Sequence, residues 1–188
     1  MAETGLQARP LGAGITHSIG ETTLSVIARK ELLAIAYPPA MAAQVEVALG
    51  ALPTPATSTA LSTGQQILWV GVGQLLCFGT SPLGEGATAA KLEDSGYVTD
   101  LSDGWIALDL SGPDAQARLD LLTLPDLSDE AFAVGAVTST PIGHLRVVIW
   151  RKTQTQFVLL SAASSALSLI QTLQDELALL DRVSETIR

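Results

Sequence analysis

The chain has few of the residues that build disulfides and metal sites. Its 188 residues include one cysteine and two histidines, which excludes an intrachain disulfide and a cysteine-rich zinc site. Cys77 lies in an apolar run, residues 75–78, and is predicted to be a small core residue rather than a reactive thiol. His17 and His144 are far apart in the sequence and lack metal-ligand spacing. We therefore expect no metal in this chain.

Charged residues are scarce, and basic residues most of all. Charged side chains make up 15% of the chain, and 10 Lys and Arg against 19 Asp and Glu give a formal net charge of −9. Nucleic-acid binding requires clustered positive charge, so we expect no nucleic-acid partner. Hydrophobic residues reach 47% and the mean hydropathy is +0.37. This composition excludes disorder, and its apolar surplus predicts a subunit interface.

Long hydrophobic runs are also missing. The most apolar stretch, residues 67–78, includes Gln74 and is shorter than the roughly 20 residues that a spanning helix needs. The first residues contain an early acid and no apolar run, so we expect no signal peptide. These features predict a soluble, cytoplasmic protein without a membrane contact.

Recognisable catalytic and cofactor motifs are absent. Gly71-Val72-Gly73 follows a predicted strand, but Leu76 stands where a dinucleotide fingerprint has its third glycine, so a hairpin turn is the better interpretation. No Gly-x-Ser-x-Gly elbow or phosphate loop occurs. The acidic groups at residues 126–130 and 175–176 fit a solvated loop and the polar face of a helix. We expect no catalytic or cofactor-binding residue in this chain.

The first half reads as strand, helix, hairpin and helix. The strand is predicted at residues 24–28, and the helix opens at Pro38-Pro39 and ends at Gly50. Its apolar face holds Met41, Val45, Ala48 and Leu49. Residues 51–60 are predicted to be a loop. A hairpin over residues 66–78 and a short helix over residues 87–93 follow.

The second half repeats this order. Strands are predicted at residues 97–100, 105–108, 136–140, 144–151 and 157–160. Between them, Ser111 is predicted to cap a helix whose apolar stripe is Ala115, Leu119 and Leu122. A long amphipathic helix over residues 164–183 ends the chain, with a predicted apolar stripe of Leu167, Ile170, Leu173, Leu177 and Leu180.

The element order predicts an α+β fold of largely antiparallel sheets, each with helices on one face. The two strand–helix–hairpin–helix halves, about 20–95 and 96–183, are predicted to form a single domain. There is no repeat at the level of residues, so the duplication rests on element order alone.

Four residues are candidates for contact with a partner: Trp69, Trp105, His144 and Trp150. Each tryptophan lies on a predicted strand, so it can pack in the core or serve as an aromatic anchor at an interface. His144 opens a predicted strand, where a partly buried imidazole bonded to backbone and an interface or ligand contact are the two interpretations.

The order of several segments resembles the gamma subunit of heterotetrameric sarcosine oxidase. The matching segments are residues 68–71, 98–105, 110–115, 143–151 and the strand at 157–160 that leads into the last helix. Residues 98–180 are the most alike and the first 60 residues only loosely so. None of these motifs is a catalytic signature.

The resemblance implies a fold similar to the folate-binding domain of aminomethyltransferases. It implies an accessory, non-catalytic subunit that assembles with alpha, beta and delta subunits in sarcosine catabolism. In that family FAD, FMN, NAD and tetrahydrofolate belong to the larger chains and zinc to the smallest one. Two other interpretations stay open, a free-standing folate-binding enzyme and a homo-oligomeric structural protein.

Overall fold

A computed structural model describes residues 16–28, 31–79 and 84–186 of the chain. These residues form two antiparallel sheets that pack face to face, and helices cover the outer face of each sheet. The predicted α+β class, with antiparallel sheets and helices on one face of each, is confirmed.

The first sheet has six strands in the order β1-β2-β8-β11-β10-β9. Their bounds are β1 Thr16–Ile19, β2 Thr22–Val26, β8 Trp105–Ser111, β9 Val137–Ile142, β10 Leu145–Thr153 and β11 Gln156–Ala162. The helices α3, Ala115–Asp120, and α4, Ala166–Thr186, contribute to the core on its outer face.

The second sheet has five strands in the order β4-β5-β6-β3-β7. Their bounds are β3 Glu31–Ala36, β4 Ser58–Ala60, β5 Gln66–Gly71, β6 Gln74–Gly79 and β7 Tyr97–Asp100. On its outer face lie α1, Ala42–Leu49, and α2, Gly84–Leu92.

The two sheets share one strand order, and each takes a strand from the other's part of the chain. β9-β10-β11-β8-β2 in the first sheet matches β4-β5-β6-β3-β7 in the second, with β1 added outside β2. β2 directly precedes β3 but pairs with β8, whereas β7 directly precedes β8 but pairs with β3. The two halves of the chain, about 20–95 and 96–183, are therefore linked by backbone pairing as well as by side-chain packing.

Alternation along the central strands divides the apolar side chains among three cores. On β10, Val147 and Ile149 face the core under α3 and α4, while Val148 and Trp150 face the second sheet. On β6, Leu76 and Phe78 face the first sheet, and Leu75 and Cys77 face the core under α1 and α2. Strands buried on both faces explain the continuous apolar runs in the sequence.

The strand predictions are right for the hairpins and for most central strands, and they miss β1, β3 and β4. Gly71-Val72-Gly73 joins β5 to β6 as predicted. The predicted strand at residues 24–28 lies two residues earlier as β2, and residues 58–60 of the predicted loop form β4. The sequence pattern does not predict β1 or β3. The Glu31–Ala36 segment is rich in Leu and Ala, which are helix formers, and it is a strand because neighbours pair with it on both sides.

The helix predictions hold for position and need three corrections. α1 follows a 3₁₀ turn at Pro39–Met41, and Gly50 ends it with φ +90°, but Met41 of the predicted apolar face is exposed. Ser111 is not a cap, because it is the last residue of β8 and Asp114 precedes α3. Leu167 is 61% exposed, because Ala166, Leu169, Ile170 and Leu173 form the buried face of the described part of α4, and the side chains of Leu177 and Leu180 lie outside what the structure describes.

Two glycines in hairpin turns provide a matched test of backbone crowding. Gly73 has φ +67°, and a Cβ there would lie 2.2 Å from the Tyr37 carbonyl oxygen. Gly143 has φ +59° and open space around its Cβ position. We expect Gly73→Ala to lower the free energy of unfolding by about 2–5 kcal/mol, because left-handed strain and overpacking add together. Gly143→Ala carries the strain alone and costs about 1–2 kcal/mol. Urea denaturation of both variants measures the difference, and equal losses would contradict this account.

Candidate functional site

The four predicted contact residues lie in three different environments. Trp150 is 6% exposed between the two sheets, with its ring edge-on to Phe78 at a centroid distance of 6.5 Å. Trp69 and Trp105 are half-buried and pack against different cores. His144 is exposed in the turn between β9 and β10, so its interpretation as a partly buried imidazole is wrong, and its contact with a partner stays a prediction. The structure does not bring these four side chains into one site.

Metal-ligating side chains do not cluster in the described part of the chain. Within residues 16–28, 31–79 and 84–186, no group of three or more His, Cys, Asp or Glu residues could hold a metal ion. Cys77 is a free, buried thiol, and burial together with the Glu31 charge raises its pKa to about 11. The thiol is therefore protonated at neutral pH, which agrees with a core residue rather than a nucleophile.

The most elaborate polar arrangement surrounds Arg151, which sequence reasoning did not single out. Arg151 lies near the end of β10 with 1% of its side chain exposed, and its guanidinium lies 5.3 Å from the centre of the Phe157 ring. It donates to the carbonyl oxygens of Phe132 at 2.7 Å and of Leu127 at 3.4 Å. It also forms an ion pair with Asp129.

Arg151 has further partners on α3 and on the neighbouring turn. It donates to Gln116 Oε1 at 3.1 Å, and to both the backbone and the side-chain oxygen of Gln154 at 3.0 Å. One planar guanidinium thus joins α3, the β10–β11 turn and the irregular connection over residues 121–136. The one sequence signal was an arginine on a strand otherwise rich in apolar residues, and that signal does not reveal its partners.

Around Arg151, residues 114–134 form a segment with exposed apolar side chains, termed the 114–134 surface below. Leu121 is 69% exposed and Leu124 86% exposed, and Val134 is also exposed. Leu119, Leu127 and Phe132 of the same segment are buried in the core under α3 and α4. The segment is therefore anchored from inside while it presents other apolar groups to solvent.

A second candidate surface lies between α1 and α2. Met41, Val47 and Leu92 contribute apolar groups to a groove of about 620 Å³, with Lys91 and Asp94 also in its lining. Val47 is 84% exposed. The mixed charges and open shape do not define a ligand.

None of the helices in the described part of the chain is both long and apolar enough to cross a membrane.

The comparisons with known proteins agree with the predicted resemblance. No protein-family model matches the chain. The sarcosine oxidase subunit gamma of Corynebacterium sp. (strain P-1) is 31% identical over 103 residues, which cover 54% of this chain and 51% of that protein. The Arthrobacter sp sarcosine oxidase subunit gamma is 34% identical over 92 residues, covering 47% of this chain and 44% of that one. The match spans about half the length of these curated relatives.

Two solved structures are similar over most of this chain. A chain of heterotetrameric sarcosine oxidase from Corynebacterium sp. U-96 has a TM-score of 0.77 and 25% identity, and the match covers 89% of both chains. Aminomethyltransferase T of the glycine cleavage system from Bartonella henselae has a TM-score of 0.62 and 16% identity, covering 80% of this chain and 44% of that one. The chain is thus similar to sarcosine oxidase gamma subunits, and its fold is similar to that of an aminomethyltransferase, as the sequence predicted.

Replacing Arg151 tests whether its guanidinium holds the 121–136 connection. Arg151→Ala removes charged hydrogen bonds to two backbone carbonyls, so we expect a loss of about 2–4 kcal/mol in the free energy of unfolding. Asp129 is 65% exposed, so Asp129→Asn is expected to cost less than about 1 kcal/mol.

Arg146→Ala is the matched control on the same strand, because Arg146 is exposed and donates to Ser139 at 3.1 Å. It is expected to change stability by less than about 0.5 kcal/mol. Urea denaturation monitored by tryptophan fluorescence measures all three variants. Equal stability of the Arg151 and Arg146 variants would show that the guanidinium does not hold the connection.

Proposed function

We propose that the chain is the accessory, non-catalytic gamma subunit of a heterotetrameric sarcosine oxidase. The observation that carries this proposal is the structural match over nine-tenths of both chains, together with the sequence match to two proteins named as that subunit. The likeness to the aminomethyltransferase supports the fold alone.

The proposed complex demethylates sarcosine oxidatively. It forms glycine and hydrogen peroxide and passes the one-carbon unit to tetrahydrofolate. We place the FAD, FMN, NAD and tetrahydrofolate on the larger chains and zinc on the smallest chain. The single cysteine supports a role outside the chemistry, because the buried Cys77 thiol has a raised pKa, whereas a nucleophilic thiol needs a lowered one.

The proposed role of this chain is structural, in assembly with the alpha, beta and delta subunits in the cytoplasm. Its exposed apolar side chains on α1 and around Leu124 support such a role. Burial of apolar surface contributes roughly 25 cal/mol per Å², and permanent interfaces commonly exceed about 2,000 Å² in total. Trp69, Trp105 and His144 keep surface available for partner contact, whereas the buried ring of Trp150 can act there only by supporting the sheet.

We also propose that the chain folds as one domain of two similar halves, about 20–95 and 96–183. The common strand order and the exchange of β2 and β7 support this, because neither sheet is complete without the other half. We expect one cooperative urea transition, with tryptophan fluorescence and far-UV circular dichroism giving the same midpoint. Two separate midpoints would contradict a single domain.

Co-purification tests the proposed function directly. The chain carries an affinity tag in its source organism, and mass spectrometry identifies whatever remains bound. We expect a large flavin-containing chain, and an eluate that forms hydrogen peroxide when sarcosine is added. The same purification from an untagged strain is the control.

The other interpretations give different results in this experiment. Recovery of the tagged chain alone, as a monomer or a symmetric dimer, would contradict the oxidase subunit. Tetrahydrofolate binding by that isolated chain, measured by calorimetry, would then favour a free-standing folate-binding protein.

A further inference from the structure

The 114–134 surface exposes apolar side chains on a well-anchored segment. The Leu127 N–H donates to the Asp120 carboxylate at 2.8 Å, and the Thr123 hydroxyl donates to the Leu119 carbonyl at 3.2 Å. Arg151 holds two further carbonyls from inside. Because these bonds hold the backbone in place, Leu121 and Leu124 project from an ordered surface. Preorganised side chains lose less conformational entropy when a partner covers them.

The charge of this surface has one sign. Its acidic side chains are all exposed: Asp114, Asp120, Asp126, Asp129 and Glu130. The two arginines at this surface, Arg118 and Arg151, are largely covered and form ion pairs with Asp114 and Asp129. The solvent side of the segment is thus apolar and acidic.

We propose that the 114–134 surface is the docking surface for a different protein subunit, whose complementary face has lysine and arginine side chains around an apolar patch. The inference rests on the proposed function, since it assigns the contact of that same assembly. Charge complementarity indicates which protein binds at this surface. A second copy of this chain would place acidic groups against acidic groups, which opposes association. A partner with a basic rim is instead attracted to the acidic side chains.

The 114–134 surface also differs in charge from the α1–α2 groove. That groove has both Lys91 and Asp94 in its lining, so its surface charge is mixed and favours neither a basic nor an acidic partner. Val47 in the groove and Leu124 are almost equally exposed, at 84% and 86%. Substitutions of these two side chains therefore form a matched pair, which shows whether the partner contacts the 114–134 surface or the groove.

The test uses the purified complex re-formed from this chain and its co-purified partner subunits, with association measured by biolayer interferometry. Leu124→Ser is expected to raise the dissociation constant at least about tenfold, because it removes a buried leucine side chain from the interface. Glu130→Lys is expected to slow association, and raising NaCl is expected to slow association of the unaltered chain. Val47→Ser is expected to bind like the unaltered chain. Circular dichroism and thermal midpoints verify that every variant is folded.

The outcomes separate this inference from the proposed function. If the unaltered chain binds partner subunits and folded Leu124→Ser binds them equally well, this surface is overturned and the proposed function stands. If Val47→Ser alone loses binding, the groove is the contact and the inference is wrong. If the unaltered chain binds no subunit, both proposals fail. If Leu124→Ser instead converts a dimer of this chain to monomers, the surface pairs two copies and the inference is overturned.

Discussion

The face-to-face packing of the two sheets is the constraint on which the rest of this structure depends. Leu68, Leu76, Val148 and Leu160 meet in one core, so the central strands of both sheets are buried on both faces. Such strands must be apolar along their length. This accounts for the high fraction of hydrophobic residues in the chain and the low fraction of charged ones. Because β2 and β7 each pair in the sheet built mainly from the other half of the chain, separating residues 20–95 from residues 96–183 breaks backbone hydrogen bonds as well as apolar contacts.

A protein built in this way has few places for a buried polar group, and Arg151 occupies one of them at the edge of the core. The connection from α3 to β9 has little regular secondary structure, so its carbonyl groups need partners from elsewhere. The Arg151 guanidinium donates hydrogen bonds to two of these carbonyl groups, those of Leu127 and Phe132. The main contribution of Arg151 is therefore to hold this irregular segment in one conformation. The ion pair with the exposed Asp129 carboxylate contributes little by itself.

Local sequence signals predicted the parts of the fold that local physics controls. Glycine between two apolar runs located the β5–β6 hairpin, and helical spacing located Ala115 and Leu119 on the buried face of α3. The signals failed where partners decide the outcome. β3 has helix-forming residues and is a strand only because β6 and β7 pair with it. The exchange of β2 and β7, and the acceptors of Arg151, join residues distant in sequence, so a single sequence carries no record of them.

The two halves of the chain differ in the length of one equivalent connection between helix and strand. Equivalent connections join α1 to β4 over residues 50–57 and α3 to β9 over residues 121–136. The strand order is the same in both sheets, so the fold itself does not require the longer connection. The added residues carry Leu124, Asp126 and Glu130 to solvent and receive the Arg151 guanidinium beneath. Burial of Leu127 and Phe132 and the Arg151 hydrogen bonds offset the conformational entropy of ordering this connection, so Leu124 is held in place before a partner arrives. A partner that covers Leu124 gains apolar burial at little further entropic cost, and the acidic side chains around it favour a basic surface over a second copy of this chain.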